Sequence, residues 1–92
     1  MKIENAANLF KALSTERRLR VFMLLLEHGD LNSSEIARQC NLKDAITSEC
    51  LSKLLAVGWV WRQPTPPWVY YGVNLEVLKK VIEFFGEHYA TD

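Results

Sequence analysis

The chain has 92 residues, 49% of them apolar, and its 11 lysine and arginine residues balance 11 aspartate and glutamate residues. This length predicts one domain, and the high apolar fraction indicates that some apolar surface meets a partner. The balanced charge excludes a strongly basic protein, so any positive charge that meets nucleic acid must be local. The apolar run at residues 21–26 is too short to span a membrane, and the polar first residues do not resemble a signal peptide. We therefore expect a cytoplasmic protein without a membrane partner.

Two helices are predicted first, at about residues 5–13 and 16–28, because apolar residues recur there at helical spacing. Ser14 or Thr15 is placed to cap the second helix, and Gly29 is placed to end it. The apolar stripes of the two helices consist of Leu9, Phe10, Leu13, Leu19, Phe22, Met23 and Leu26.

A third helix is predicted at about residues 33–40. Asn32 and Glu35 stand three residues apart at its start, which is the spacing of a capping box. Asn41 follows the helix, and asparagine tolerates the left-handed conformation that a sharp turn needs. The residues of this helix that we expect in the core are Ile36 and Ala37.

A fourth helix is predicted at about residues 44–57, with Asp44 as its N-cap and Gly58 just past its end. The residues expected on its buried side are Thr47, Leu51, Leu54 and Leu55. A helix that follows a tight turn on a compact helical base is the usual device for entering the major groove of DNA. We therefore interpret residues 33–57 as a helix-turn-helix.

Two strands are predicted after this motif, at residues 59–63 and 68–73, from their aromatic and β-branched content. The proline-rich segment at residues 64–67 between them is expected to be a stiff, open loop, because it does not suit a tight primed turn. Trp61 and Trp68 are expected to pack against each other or the core. Residues 59–73 would then form a wing, which gives a mainly α fold with a small β-hairpin: a winged helix-turn-helix.

The last helix is predicted at about residues 75–89 and has two apolar stripes. One consists of Leu75, Leu78, Ile82, Phe85 and Tyr89, and the other of Val77, Val81, Phe84 and His88. One small domain cannot bury both faces of a terminal helix. The pattern therefore favours a homodimer joined through this helix and the one at residues 5–13. The residues expected at this interface are Leu9, Leu13, Leu78, Val81, Ile82, Phe85 and Tyr89.

The chain resembles the ArsR/SmtB group of winged-helix transcriptional repressors. The segments that carry the resemblance are LFKALSTERRLRVFMLLLEHG, LNSSEIARQCNLKDAITSECLSKLLAVGWV and WVYYGVN, in that order. The resemblance implies a homodimer that binds a double-stranded DNA operator with two-fold symmetry. It also implies that an inducer or a redox event would change the affinity for DNA.

The sequence departs from the metal sensors of that group. Their cysteines at the start of the third helix are replaced here by Asn32 and Ser34, which are not soft ligands. The last helix has Glu76, Glu83, Glu87 and His88 but lacks the paired histidines of a second site. We therefore expect no metal and no cofactor.

The predicted recognition helix also departs from the group, which commonly has Ser, Arg and His where this chain has Ser48, Glu49 and Cys50. Arginine or lysine reads guanine, whereas a carboxylate can accept a hydrogen bond from cytosine but is repelled by nearby phosphates. Ile46 is expected to be exposed, where it suits a thymine methyl group or a protein contact equally. The candidates for DNA contact are Arg17, Lys43, Asp44, Ala45, Ile46, Thr47, Ser48, Glu49, Lys53 and Arg62. Arg17, Arg18 and Arg20 form a basic cluster with Lys11, in which Arg18 and Arg20 suit equally a contact with DNA or an ordinary place on a solvated helix face or in an ion pair within the domain.

The two cysteines are candidates for redox sensing, although burial explains Cys40 adequately. Cys50 lies in the middle of its helix and is expected to be more exposed. Ten residues and a sharp turn separate the two thiols, and a disulfide needs Cα atoms within about 7 Å.

Two functions remain open. The first is a dimeric, sequence-specific DNA-binding regulator, a repressor that needs no metal. The second is a winged helix used for binding a protein partner, with an acidic recognition helix that does not meet DNA. No glycine-rich phosphate loop or catalytic triad is present in the sequence, so we do not expect an enzyme.

Overall fold

The computed structural model describes residues 1–89, which form five helices and one three-stranded antiparallel sheet. The elements in chain order are α1 (Ile3–Ala12), α2 (Glu16–His28), β1 (Leu31–Asn32), α3 (Ser33–Cys40), α4 (Asp44–Ala56), β2 (Val60–Thr65), β3 (Trp68–Val73) and α5 (Leu75–Tyr89). The predicted winged helix-turn-helix is confirmed, with α3 and α4 as the helix-turn-helix and β2 and β3 as the wing.

A third strand, β1, was not predicted. It pairs with β3 through Leu31 and Tyr71, so β3 is the central strand and β2 lies at the edge. Two residues are too few to show the alternation by which strands are recognised in a sequence. This short strand ties the start of the helix-turn-helix to the wing.

The turn of the wing differs from the stiff, open loop that we expected. The strands continue until Thr65 pairs with Trp68, and only Pro66 and Pro67, joined by a cis peptide bond, connect them. The expectation followed from the residue preferences of primed two-residue turns, which favour asparagine and glycine rather than proline. Pro64 is tolerated within β2 because an edge strand can spare one amide donor.

The predicted helix ends are largely correct. Thr15 caps α2 by accepting a hydrogen bond of 3.3 Å from the amide of Arg18. Asn32 and Glu35 form the expected capping box, and both of its hydrogen bonds are 2.9 Å. Asn41 has the left-handed backbone conformation, with φ of 53°.

Asp44 does not cap α4. Lys43 is the N-cap residue, without a side-chain hydrogen bond, and Asp44 is the first residue of the helix. A carboxylate in the first turn still interacts favourably with the helix dipole, which explains why aspartate is suitable one position later. Gly58, just past the helix, has φ of 89°, as the glycine signal predicted.

The core lies between α2, α3, α4 and the base of the wing, and α1 and α5 contribute Leu9, Ala12 and Val81 to it. Its largest buried side chains include Trp59, which packs on Phe22 with ring centroids 4.9 Å apart. The predicted stripe of α2 was wrong apart from Phe22: Val21 and Leu25 are buried. Because α2 contains a continuous run of apolar residues, either of two of its faces could be buried. Packing against α3 and α4 determines which face it is. The residues of the predicted stripe that remain exposed are Leu19, Met23 and Leu26.

Candidate nucleic-acid interface

One face of α4 is exposed over its whole length. Ala45, Ser48, Glu49 and Ser52 lie on this face at helical spacing, and all four side chains are exposed. The opposite face, which consists of Thr47, Cys50, Leu51 and Leu54, is buried in the core. Ser52 was missed by the sequence analysis, although its spacing from Ser48 and Glu49 was the signal that would have included it.

The structure corrects three expectations for α4. Thr47 is only 1% exposed, and its hydroxyl donates a hydrogen bond of 3.1 Å to the carbonyl of Lys43, so it is not available to a base. Ile46 is half-buried and packs against the core, although it was expected to be exposed. Leu55, expected in the core, is 37% exposed, whereas Cys50, which was not expected in the core, is 4% exposed.

The charges at the two ends of the exposed face are mixed. Lys43 and Asp44 are exposed at the N-terminus of α4, and Glu49 and Lys53 are exposed further along. No ion pair within residues 1–89 involves any of these four side chains. The face is therefore locally neutral and lacks the surplus of positive charge that phosphates attract.

In the basic cluster at α2, some side chains bind other groups of the protein and one is available to a ligand. Arg18 donates from Nε to the carbonyl of Ala12 at 2.7 Å and from Nη2 to that of Lys11 at 3.3 Å, so it caps the C-terminus of α1. Arg20 forms an exposed ion pair of 2.7 Å with Glu16. Arg17 is exposed, and no ion pair in the described part of the chain includes it. Arg17 is thus the member of the cluster that is available to phosphates.

Arg62 is exposed on β2. It is the only charged residue between Trp59 and Val73, so the wing as a whole is slightly basic and has no acidic side chain. The expectation that Trp68 packs against Trp61 or the core was wrong, because Trp68 is 48% exposed.

The surroundings of both cysteines raise their thiol pKa values. Burial raises the pKa of Cys50, which is 4% exposed and not the exposed thiol that we expected. Burial also raises the pKa of the half-buried Cys40, and the nearby thiol of Cys50 raises it further. Both thiols are free. A raised pKa lowers the fraction of reactive thiolate, so the environment does not favour fast oxidation of either cysteine.

The two apolar stripes of α5 have different environments. Val81 is buried against the domain, and Val77 and Phe84 are half-buried. The other stripe is mostly open, with Ile82 63% exposed and Phe85 54% exposed. Its exposed members are Leu75, Ile82, Phe85 and Tyr89.

Two of the predicted interface residues are not available to a partner. Leu9 and Val81 are buried within their own chain, because α1 and α5 pack on the domain through them. Leu13 and Leu78 are half-buried. Phe85 stacks on Phe10 of α1 with ring centroids 5.5 Å apart, so α1 and α5 are neighbours in one chain.

His88 is exposed, although it was placed in one of the apolar stripes, and its Nδ1 lies 2.8 Å from the carbonyl oxygen of Phe84. Within residues 1–89, no three His, Cys, Asp or Glu side chains are grouped so that they could hold a metal ion. None of the helices in the same residues is both long and apolar enough to cross a membrane.

The family of sugar-specific transcriptional regulators called TrmB has a sequence profile that matches residues 15–76. The chain belongs to this family. The matched residues run from the cap of α2 to the start of α5, so they include the helix-turn-helix and the wing. This member of the TrmB family has no significant match among curated proteins.

Solved structures of transcriptional regulators have the same fold. HlyU from Vibrio cholerae is 27% identical, with a TM-score of 0.78 over 99% of this chain and 100% of that one. An ArsR-like regulator from Rhodococcus sp. RHA1 is 23% identical, with a TM-score of 0.82 over 91% of this chain and 78% of that one.

A homodimeric winged helix-turn-helix DNA-binding domain from Mycobacterium bovis, described as a possible ArsR-family regulator, is 23% identical. Its TM-score is 0.72 over 98% of this chain and 89% of that one. The resemblance to ArsR-type regulators is thereby confirmed at the level of the fold.

Proposed function

We propose that the chain is a dimeric, sequence-specific DNA-binding repressor that places α4 in the major groove. The observation that carries this proposal is the exposed face of α4 on a rigid base. Thr47, Leu51 and Leu54 fix the helix from below, and Ser48 and Glu49 project outward. A helix held in this way presents the same few side chains to successive base edges.

Phosphate contacts in this proposal come from residues beside α4 rather than from α4 itself. Arg17 at the start of α2, Lys43 at the start of α4 and Arg62 on the wing are all exposed. Contacts of this kind fix the register of a protein on DNA and carry no sequence information. They also supply the positive charge that the neutral composition of the chain does not provide.

Base contacts are assigned to Ser48, Glu49 and Ser52, with Ala45 able to meet a thymine methyl group. Glu49 is the residue that would impose a preference, because a carboxylate accepts a hydrogen bond from the amino group of cytosine. Its charge repels the backbone wherever that bond is not made. A base contact made by Glu49 would therefore lower the affinity for most DNA sequences and raise the ratio of specific to non-specific binding.

The dimer is proposed on the open stripe of α5. Leu75, Ile82 and Tyr89 are between 63% and 83% exposed, on one face of a helix. A contiguous apolar surface of this kind on a small domain indicates an interaction site. A two-fold dimer would present two copies of α4 to half-sites about 34 Å apart, one turn of DNA. The homodimeric relative from Mycobacterium bovis supports the same assembly.

The sugar specificity in the family description is not part of this proposal, because the matched residues are those of the helix-turn-helix and wing. Repression is proposed as simple occupation of a promoter. No metal takes part in it, because the residues that would ligate one in related metal sensors are Asn32 and Ser34 here.

The test is binding of the purified protein to DNA from upstream of its own gene, measured by fluorescence anisotropy across a salt series. We expect specific binding that weakens steeply with salt and resists unrelated competitor DNA. Arg17→Ala should weaken binding to all sequences, whereas Lys79→Ala on α5 removes an equal charge and should leave it unchanged. If the wild-type protein does not bind at low salt, the alternative of a protein-binding module replaces this proposal.

A further inference from the structure

The tip of the wing is apolar and exposed. Trp68 is 48% exposed and stands directly opposite Thr65, next to the two-residue turn formed by Pro66 and Pro67. A tryptophan left half in water at the end of a hairpin contributes little to the stability of its own domain. An exposed aromatic side chain at a projecting position is typical of a contact with another molecule.

The register of the wing shows why Trp68 is free while Trp61 is not. Trp61 and Trp68 lie on the same face, because Trp61 pairs with Gly72 and side chains alternate along β3. The ring of Trp61 covers Gly72, where an added β-carbon would lie within 3.0 Å of it. Trp68 pairs with Thr65, and that short side chain leaves the larger ring open.

The charge of the tip selects the kind of partner. No acidic residue occurs in residues 59–73, and the wing carries one cation, Arg62. An uncharged, aromatic tip on a wing whose charge is positive is compatible with the polyanionic surface of DNA. The exposed face of α4, in contrast, carries Glu49, whose negative charge is repelled by the phosphates of DNA.

The tip is also stiff. Pro64, Pro66 and Pro67 fix their own φ angles, and Thr65 is held in the pairing with Trp68. A segment that is already ordered loses little conformational entropy when it enters a binding site. The free energy gained by inserting Trp68 would therefore not be reduced by the entropy cost of ordering a flexible loop.

We propose that Trp68, with Pro66 and Pro67, enters the minor groove of DNA as an apolar wedge that partly unstacks a base step and bends the duplex. This inference rests on the proposed DNA-binding function. Apolar side chains inserted between base steps are known to bend DNA by about 20–90°. Such a wedge adds affinity through stacking instead of charge.

The experiment compares the wild-type protein with Trp68→Ala on its own upstream DNA. Affinity is measured by anisotropy across a salt series, and bending by energy transfer between dyes at the two ends of the fragment. Trp68→Ala should weaken binding by about tenfold, as expected for loss of one base–aromatic stack. It should reduce the bend and leave the salt slope unchanged, because no phosphate contact is lost.

Two further variants make the result specific. Trp68→Lys should recover affinity at low salt with a salt slope steeper by about 0.9, and without the bend. Met23→Ala removes an apolar side chain of similar exposure, 41%, on α2 and should change neither property. Thermal denaturation of each variant checks that the fold is retained.

The outcomes separate the wedge from the function on which it rests. Specific binding by the wild-type protein, with Trp68→Ala equal to it in affinity and bend, overturns the wedge and leaves the proposed function intact. Absence of specific binding by the wild-type protein overturns both. A lower affinity of Trp68→Ala with a bend equal to that of the wild type also overturns the wedge, because the tip would then contact DNA without deforming it.

Discussion

The indole Nε1 of Trp59 donates a hydrogen bond of 2.7 Å to the carbonyl oxygen of Leu9, which lies 50 residues earlier in the chain. Helix α1 ends at Ala12, and the amide of Leu13 bonds to the carbonyl of Phe10, so the carbonyl of Leu9 lacks its helical partner. Trp59 supplies that partner from a position that is 2% exposed. The bond ties α1 to the junction between α4 and the wing.

Trp59→Phe should therefore destabilise the protein by about 1–3 kcal/mol, because a buried carbonyl is left without a donor while most of the ring packing is kept. The free energy of unfolding is measured by urea denaturation. Trp68→Phe makes the same chemical change at an exposed ring and should alter stability by less than about 0.5 kcal/mol. Equal stabilities of the two variants would show that the bond from Trp59 contributes nothing.

Gly72 is the point at which the wing tolerates no side chain. A β-carbon there would lie within 3.0 Å of the Trp61 ring and of the Asp30 carboxylate. Gly72→Ala should cost roughly 1–3 kcal/mol of stability, because the ring or the strand must shift to make room. Gly86→Ala on α5 has no atom within 4 Å of its new β-carbon and should stabilise the helix by up to about 1 kcal/mol. Thermal unfolding of both variants measures the contrast.

Signals that act between near neighbours in the sequence predicted the order and limits of most elements. The capping box at Asn32 and Glu35 and the left-handed Asn41 were read correctly, because each depends on a few adjacent residues. The buried face of α2 was predicted incorrectly, because packing against other helices determines that Val21 and Leu25 are buried. The bond from Trp59 was also invisible, because it depends on a distant carbonyl.

The candidate interface was predictable in outline for the same reason. Ser48 and Glu49 were named as candidate contacts from their place in the predicted recognition helix, and both are exposed. The sequence could not show that the hydroxyl of Thr47 is used by the backbone, or that Cys50 occupies the core side of the helix. Trp68 was expected to pack against Trp61 or the core, and its position at the end of the wing, opposite Thr65, leaves it 48% exposed.

Arg17 and Arg18 should separate DNA binding from stability, although they are adjacent. Arg18→Ala removes the cap on α1 and should lower stability by about 1 kcal/mol, with little effect on DNA affinity once folded. Arg17→Ala should leave stability unchanged and reduce the salt slope of DNA binding by about 0.9. Urea denaturation and anisotropy on both variants provide the four values. If Arg18→Ala weakened DNA binding and Arg17→Ala lowered stability instead, the DNA interface would lie elsewhere.

Reversal of the charge at Glu49 tests whether α4 faces DNA. Glu49→Arg should raise affinity for unrelated DNA by tenfold or more at low salt, because a repulsion is replaced by a phosphate contact. Glu49→Gln should give a smaller gain and weaken any preference for cytosine. Glu27→Arg on α2 makes the same charge change away from α4 and is the control. Equal gains in DNA affinity from Glu27→Arg and Glu49→Arg would mean that binding depends on the net charge of the protein and not on the position of the residue.

The dimer proposal is best tested at Ile82 rather than at Phe85. Phe85 stacks on Phe10 within its own chain, so a charge there would disturb the fold as well as an interface. Ile82 is 63% exposed on the same stripe. Ile82→Glu should give monomers of unchanged secondary structure, because a carboxylate would be buried without a partner between two copies of α5.

Light scattering coupled to size exclusion measures the mass across a concentration series, and circular dichroism checks the fold. Glu83→Lys, at the neighbouring position, changes charge without entering the stripe and should remain dimeric. Loss of the dimer should also reduce operator affinity, because two half-sites bound by one dimer are read together. A dimeric Ile82→Glu variant would place the interface on another surface, and a monomeric wild-type protein would refute the proposed assembly itself.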